Sequence, residues 1–438
     1  MLPISDTMTR LAGPTVSMGD SSIVVVGAGM VGVCVALDLL KRGAKVTLID
    51  RRAPGLETSY GNAGVLARSS MMPLNNPGMF RDLPGLLSNQ RAALRYSPFY
   101  LARNIKWALK FLINARRSSF DQTAEALDQL IRLSIPIHKA MISLCDQEAL
   151  LSERGWIFLY RSTVSFEQGH LMRKMLAQFE VPNEVLDATS LHELEPHLAP
   201  VFHRALWVKD SASISDPGAL VAAYAQRFVA EGGVFKEGAV LGLELGDTPG
   251  VLLEGGETIR STHCVLCPGP WGKELLTREG YRVPMAFERG YHRHFEGPET
   301  SGNVPKLGRP IYDTAGGYVL SPMRQGLRLT TGVELNGLSA DQNHAQLDRA
   351  EVSARQAIDL GARRKQPTWM GARPTFPDSR PCIGALPEAP GFSVAFGHQH
   401  IGFATGPGTA RTLGDMLEGQ VPPIDPTPFR PDRFISRG

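Results

Sequence analysis

The sequence has little cysteine, little surplus charge and no long apolar run. Five cysteines in 438 residues, an odd number, argue against the disulfide framework of a secreted protein and for a reducing compartment, the cytoplasm. Cys264 and Cys267 form a CxxC. They flank Val265 and Leu266 in an apolar, strand-like run with no second pair to complete a zinc site, so they read as core thiols and no metal is expected. The balance of 46 basic against 43 acidic residues, net +3, is too even for a general nucleic-acid binder. No window reaches the ~18 apolar residues needed to span a bilayer. Residues 1–20, polar and broken by Pro3, Gly13 and Pro14, lack the basic start and apolar core of a secretory signal and are expected to form a loose leader.

What is present is enough chain for about two domains and one strong local pattern. Ser22-Ile-Val-Val-Val is a β-branched run, followed by Gly27-Ala28-Gly29-Met30-Val31-Gly32 and an apolar-periodic helix to about Arg42. Gly43 closes that helix, and Lys45-Val-Thr-Leu-Ile-Asp50 is a second strand ending in an acid. This is a complete dinucleotide-binding βαβ fingerprint. Gly27 permits the tight turn, Gly29 lets backbone approach a pyrophosphate, Gly32 allows close helix–strand packing, and Asp50 can accept hydrogen bonds from ribose hydroxyls. The bland alternative is a βαβ crossover with no nucleotide. The motif alone does not separate FAD from NAD.

Beyond Asp50 and Arg51 the chain runs through a loop of small residues, Ser59-Tyr-Gly-Asn62-Ala63-Gly64-Val65, where a flat ring can lie against backbone. This loop resembles the second flavin-contacting segment of the D-amino acid oxidase superfamily, which includes glycine oxidase and sarcosine oxidase. Its Ser-x-x-Asn-Ala-Gly element is most similar to the small subunit of D-amino acid dehydrogenases. Further stretches resemble the same superfamily in the same order: Cys264 to Trp271 with its Gly269-Pro-Trp271 turn, Tyr318-Val-Leu-Ser-Pro322 with Gly326 to Gly332, and Gly371-Ala-Arg373-Pro374. Pro381-x-Ile-Gly384 and Gly397-His-Gln-His400-Ile-Gly402 complete the set. The resemblance covers roughly residues 22–420. It implies an α/β (α+β) fold: a Rossmann-like FAD-binding domain with an interleaved substrate domain built on a mixed or antiparallel sheet plus helices. The expected division is 21–70, 213–282 and 366–438 for FAD, and 71–212 and 283–365 for substrate.

The resemblance implies FAD as cofactor. Some members attach it through a cysteine near the position of Arg373; here Cys382 lies nine residues later, so non-covalent FAD is expected. The cofactor-binding candidates are the residues of the two loops above together with Asp50, Arg51, Val240, Gly269, Trp271 and Gly402. A helix from Thr405 to Glu418 is expected to point its N-terminus at the flavin, where its dipole would stabilise negative charge on the reduced ring.

For the substrate, a planar guanidinium suits a carboxylate better than an ammonium does. Arg373 sits where the resemblance expects that group, with a structural ion pair as its alternative. Tyr291 and Tyr318 are candidates for a hydroxyl contact and an aromatic wall, although either can pack in the core. His400 is a candidate polar group facing flavin or substrate. These imply oxidative deamination of a small amino acid, by the resemblance a D-amino acid, with hydride passing from Cα to flavin N5 and a 2-oxo acid and ammonia as products. The alternatives are oxidation of a secondary amine such as D-proline, D-hydroxyproline, glycine, sarcosine or an opine within a complex, or a silent electron-transfer subunit.

Residues Tyr100 to Arg117 set Leu101, Ile105, Leu109, Leu112 and Ile113, with Trp107 and Phe111 nearby, among Arg103, Lys106, Lys110, Arg116 and Arg117. The segment is either an ordinary amphipathic helix or one lying in the interface of the inner membrane face, with a membrane quinone or partner protein as electron acceptor. Oligomeric state is left open. Elsewhere a Pro/Gly-rich linker is expected over Met72–Pro84, and Pro136 is expected to end or kink a helix.

Overall fold

The computed structural model of the protein describes residues 16–81, 85, 89, 92–299 and 306–438. Residues 1–15 of the expected leader and 82–84 of the expected linker lie outside the described residues. Residues 16–20 are not loose: Val16 donates its N–H to the Leu417 carbonyl at 2.7 Å and Met18 is buried.

The fold is mixed α/β, and its two large sheets draw their strands from different stretches of chain. One sheet has six strands in the order Val234–Glu237, Lys45–Asp50, Ser22–Val26, His263–Leu266, Phe392–Phe396 and Cys382–Ala385. All neighbours are parallel except the last pair. Alternation along Ser22–Val26 sends Ile23 and Val25 into one core and Val24 and Val26 into another, so the strand is buried on both faces and reads as an unbroken apolar run. Both cysteines of the CxxC are buried in these cores.

The other large sheet is mixed. Its order is Leu94–Tyr96, Val333–Leu335, Ala286–Phe295, Gly326–Thr331, Tyr318–Met323, Ile311–Asp313, Trp156–Tyr160, Arg204–Val208 and Asn183–Asp187. A further strand, Trp369–Thr375, pairs antiparallel with Ala286–Phe295, although the strand that follows it in sequence, Cys382–Ala385, belongs to the first sheet. The helix Ala345–Ala357 covers the face turned away from the first sheet.

Met30–Lys41 and Gly402–Leu417 pack on the parallel sheet, and Arg117–Leu144 packs on the second of them. Gly402–Leu417 also packs on Met30–Lys41. It begins at Gly402, three residues before the expected Thr405. Arg117–Leu144 runs through Pro136 without ending. Proline removes an intrahelical hydrogen bond, but packing here outweighs that loss: Ser134 Oγ accepts from the Gly408 N–H at 2.9 Å, and His138 reaches the Phe403 carbonyl.

That second contact repairs another proline. Pro407 lies inside the Gly402–Leu417 helix and has no N–H to offer the carbonyl four residues back, Phe403. His138 Nε2 supplies the missing donor at 2.8 Å, while its Nδ1 lies 3.1 Å from the Tyr224 hydroxyl. Burial lowers the His138 pKa to about 4, so the ring is neutral and can donate on one side and accept on the other.

Below about pH 6.5 an unfolded chain takes a proton that this folded imidazole refuses. Its contribution is therefore complete above that pH and lost as pH falls toward about 4. We expect His138→Leu to cost about 1–3 kcal/mol in urea unfolding at neutral pH, the cost of orphaning buried polar groups. The variant's stability should also fall less steeply than the wild type's between those two pH values.

Candidate active site

A cavity of about 700 Å³ runs between the two large sheets, from Arg51 and Trp271 at one end to Arg373 and His400 at the other. It starts from the turn after Ser22–Val26. Gly27 has φ +102°, and a Cβ there would lie 2.3 Å from the Cys267 carbonyl oxygen. A Cβ on Gly32 would lie 1.8 Å from the Gly27 carbonyl oxygen. Both positions therefore admit no side chain, for reasons internal to the protein. Gly29 differs: it has extended backbone, and an added Cβ would meet only Ser59 Oγ at 3.5 Å. Bareness there keeps space open in the cavity rather than in the fold.

Gly29 caps the Met30–Lys41 helix, whose first-turn N–H groups have no partners within the helix. Ser59 Oγ accepts from the Met30 N–H at 3.1 Å, and Met30 and Val31 line the cavity. This is a ready receptor for a pyrophosphate. Asp50 stands beside it, one carboxylate oxygen taking the Ala28 N–H at 2.6 Å and the other the Arg52 N–H at 3.1 Å. Each oxygen keeps a lone pair for a ribose hydroxyl. Burial raises the pKa of Asp50, and the two N–H bonds oppose that rise. Beyond Asp50, the Arg51 guanidinium lies 4.0 Å over the Trp271 ring. With Val240 and Gly269 these form the outer end of the cavity, which suits a flat purine.

The loop of small residues is pinned at both ends. Arg328 donates to the carbonyls of Tyr60 at 2.9 Å and Asn62 at 2.6 Å. Ser321 Oγ donates to Ala63 at 2.8 Å, and Asn62 Oδ1 accepts from the Gly64 N–H at 2.7 Å. Ser59, Asn62, Ala63 and Val65 line the cavity; Ala28, Gly32 and Gly64 instead shape the backbone behind it. Gly402 opens the second helix whose N-terminus faces the cavity. Two helix ends and a bare backbone wall fit a dinucleotide carrying a ring that becomes anionic on reduction.

At the inner end, Arg373 is enclosed by protein and donates to the Gly332 carbonyl at 3.3 Å. Burial lowers its pKa and the nearby charge of Glu288 opposes this. His400 presents open surface to the cavity although protein surrounds it. That enclosure, then the charge of Arg373, lowers its pKa to about 4, so it is a neutral group at neutral pH.

Tyr291 and Tyr318 do not line the cavity, which corrects the roles expected of them. On Ala286–Phe295, Glu288 and Gly290 face the cavity, and two-residue alternation turns Arg289 and Tyr291 to the opposite side. There the Tyr291 hydroxyl donates to Glu334 at 2.6 Å and accepts from Arg289 at 2.5 Å. Val319 likewise lines the cavity while Tyr318 points into the core behind the sheet. Burial, then the charge of Asp313, raises the Tyr318 pKa.

Sequence reasoning passed over Glu288, Trp369 and Arg328. Glu288 stands three residues before Tyr291, and nothing in the sequence alone marks it. Trp369 stacks on His292 at 4.9 Å and fills the space a side chain on Gly61 would need.

Fold and site together define a dinucleotide-dependent oxidoreductase. The chain belongs to the family described as FAD dependent oxidoreductase, whose model matches residues 22–416, and it is an FAD-dependent enzyme. It is 32% identical over 425 residues to a D-amino-acid oxidase of Bradyrhizobium diazoefficiens, covering 94% of this chain and 99% of that protein. It is 28% identical over 416 residues to a D-amino acid dehydrogenase of Rhizobium johnstonii, covering 92% and 97%. Among solved structures, glycine oxidase from Geobacillus kaustophilus aligns with a TM-score of 0.73 at 20% identity, covering 94% of this chain and 98% of that one.

Gly29→Leu should fold, with circular dichroism like the wild type's, yet lose at least tenfold in FAD affinity. Gly32→Leu should fail to fold. Full FAD content in folded Gly29→Leu would place the pyrophosphate elsewhere.

Proposed function

We propose that the protein oxidises a small amino acid of D configuration, with hydride leaving Cα for N5 of non-covalently bound FAD and the imine hydrolysing to a 2-oxo acid and ammonia. The observation that carries this reading is the enclosed guanidinium of Arg373 at the inner end of the FAD cavity. A cation enclosed by protein, with a single weak carbonyl bond among the described residues, has donors to spare, and a carboxylate uses them in parallel. The names of the relatives, D-amino-acid oxidase and D-amino acid dehydrogenase, support the stereochemistry. His400, neutral and open to the cavity, supplies a hydrogen bond to substrate or ring. In this reading 21–70, 213–282 and 366–438 form the FAD domain, and 71–212 and 283–365 form the substrate domain. The strand Trp369–Thr375 carries Arg373 from the first into the sheet of the second.

Arg373→Lys keeps the charge and loses the planar fork. We expect kcat/KM to fall by about 2–3 kcal/mol, with Arg373→Ala losing more and FAD content unchanged in both. Equal losses for amines with and without a carboxylate would make Arg373 structural.

For the electron acceptor we infer a membrane quinone or a partner at the membrane, on the strength of one surface. In the helices Pro98–Arg103 and Ile105–Ile113, Trp107 and Phe111 pack inward. Phe99 (71%), Ile105 (52%), Leu109 (55%) and Ile113 (50%) stay exposed. Arg103, Lys106, Lys110, Arg116 and Arg117 surround them, with no acidic residue from Ser97 to Arg117. An anionic lipid surface matches both features. Among the described residues no helix is long and apolar enough to cross a membrane, so contact would be peripheral. The holoenzyme should float with anionic liposomes and not with neutral ones. Unchanged flotation after Lys106→Gln with Lys110→Gln would defeat the reading, and peroxide formed as fast as dye is reduced would make oxygen the acceptor.

A further inference from the structure

We propose that Glu288 receives the ammonium group of the substrate and takes the proton its nitrogen must lose before the Cα–N bond is oxidised. The inference rests on the amino acid reading above and extends it from the carboxylate to the amine.

Glu288 and Arg373 are directly opposed in the antiparallel ladder between Ala286–Phe295 and Trp369–Thr375. Their side chains therefore rise from the same face, with Cβ atoms about 5 Å apart. Both line the cavity. The next position on that face is Gly290, and the guanidinium occupies the space beside it: a Cβ there would lie 2.6 Å from Arg373 Nη2. The wall thus presents a cation and a carboxylate side by side. A guanidinium alone suits any carboxylate, whereas this pair matches a zwitterion whose two charged groups share one carbon.

The Glu288 charge offsets part of the cost of enclosing Arg373 but leaves one of its own oxygens unbonded. Glu288 is 1% exposed, and among the described residues its Oε1 has no hydrogen-bond partner. A buried carboxylate oxygen without a donor is costly unless a ligand supplies one. One hydroxyl, that of Thr375, helps hold the Glu288 pKa down; the other surrounding groups are apolar or already bonded. Ala286, Val333, Leu335, Trp107 and Phe111 form an apolar cluster around this part of the sheet, and the Trp107 indole N–H is already given to the Thr375 carbonyl at 3.0 Å. Arg289, Tyr291 and Glu334 lie on the opposite face and bond one another. Arg373 acts on Glu288 through charge, and the charge of Arg373 also lowers the pKa of His400. Burial raises the Glu288 pKa, partly offset by Arg373, which suits a group that takes up a proton.

The step balances. One ammonium proton moves to Glu288 Oε1; the lone pair left on nitrogen forms the Cα=N bond as the Cα hydrogen leaves with its bonding pair for FAD. The iminium is hydrolysed, and Glu288 returns its proton to water.

The test compares the wild-type holoenzyme with Glu288→Gln. 2-Aminoisobutyrate has no Cα hydrogen and cannot be oxidised, and isobutyrate is its counterpart without the amine. Calorimetric titration near neutral pH should give at least tenfold tighter binding of 2-aminoisobutyrate by the wild type, and a reversed preference in Glu288→Gln. Anaerobic flavin reduction should show kcat/KM nearly flat from about pH 7 to pH 9 in the wild type. In the variant it should climb about tenfold per pH unit, because only free amine then reacts. The same ligand preference in both proteins, or a tenfold climb per pH unit in the wild type itself, overturns the role of Glu288. The wild-type profile decides the matter even if the variant does not fold. A wild-type flavin that no amino acid reduces would instead overturn the proposed function.

Discussion

A Cβ on Gly32 would sit 1.8 Å from the Gly27 carbonyl oxygen, and the remainder of the cofactor site follows from that closeness. Because helix and strand meet there without a side chain between them, the first turn of Met30–Lys41 stands directly at the carboxyl edge of the parallel sheet, with its N–H groups facing the cavity. The position of a helix end is only as firm as what backs it. Here the backing is the Gly402–Leu417 helix, packed close enough that a Cβ on Gly406 would lie 2.9 Å from Met30 Cγ. That second helix carries a proline, and a neutral buried histidine from a third helix satisfies the carbonyl the proline leaves free. The phosphate receptor is thus tied to a contact between chain segments about 265 residues apart.

The inner end of the cavity depends on a different constraint, the two-residue period of a strand. Ala286–Phe295 is buried on both faces and divides its polar residues between them. One face gives Arg289 and Tyr291 to a network with Glu334 that also takes in the carbonyls of Gly337, Ala340 and Asp341. The other gives Glu288 and Gly290 to the cavity, one bringing charge and the other room for a guanidinium. Arg328 links the two ends. Its bonds to the carbonyls of Tyr60 and Asn62 fix the bare loop against the second sheet, so that the two ends of the cavity keep one geometry.

The nucleotide site was legible in the sequence because its requirements are local. Strand, turn, helix and acid lie between Ser22 and Asp50, and Gly27 and Gly32 answer to contacts within that stretch or just across the sheet. Arg373 was picked out through family resemblance and not through spacing, and it lines the cavity. Tyr291 and Tyr318 were misread because alternation says which residues share a face but not which face meets the cavity; that depends on the packing of the second sheet. Helix starts and proline breaks were misjudged for a related reason. Gly402 and Pro136 are poor helix residues by propensity, and tertiary partners hundreds of residues away decided their state. Glu288 had no signal of its own until its ladder partner was known to be Arg373.

Anaerobic titration of the holoenzyme with matched D- and L-amino acids tests the account most directly, since it asks whether the cavity joins bound FAD to an amino acid without assuming an electron acceptor. The account predicts bleaching of the oxidised flavin by D enantiomers of small amino acids, with two electrons taken up per FAD, and little by L enantiomers. A flavin bleached equally by amines without a carboxylate, or by no amine at all, would contradict it.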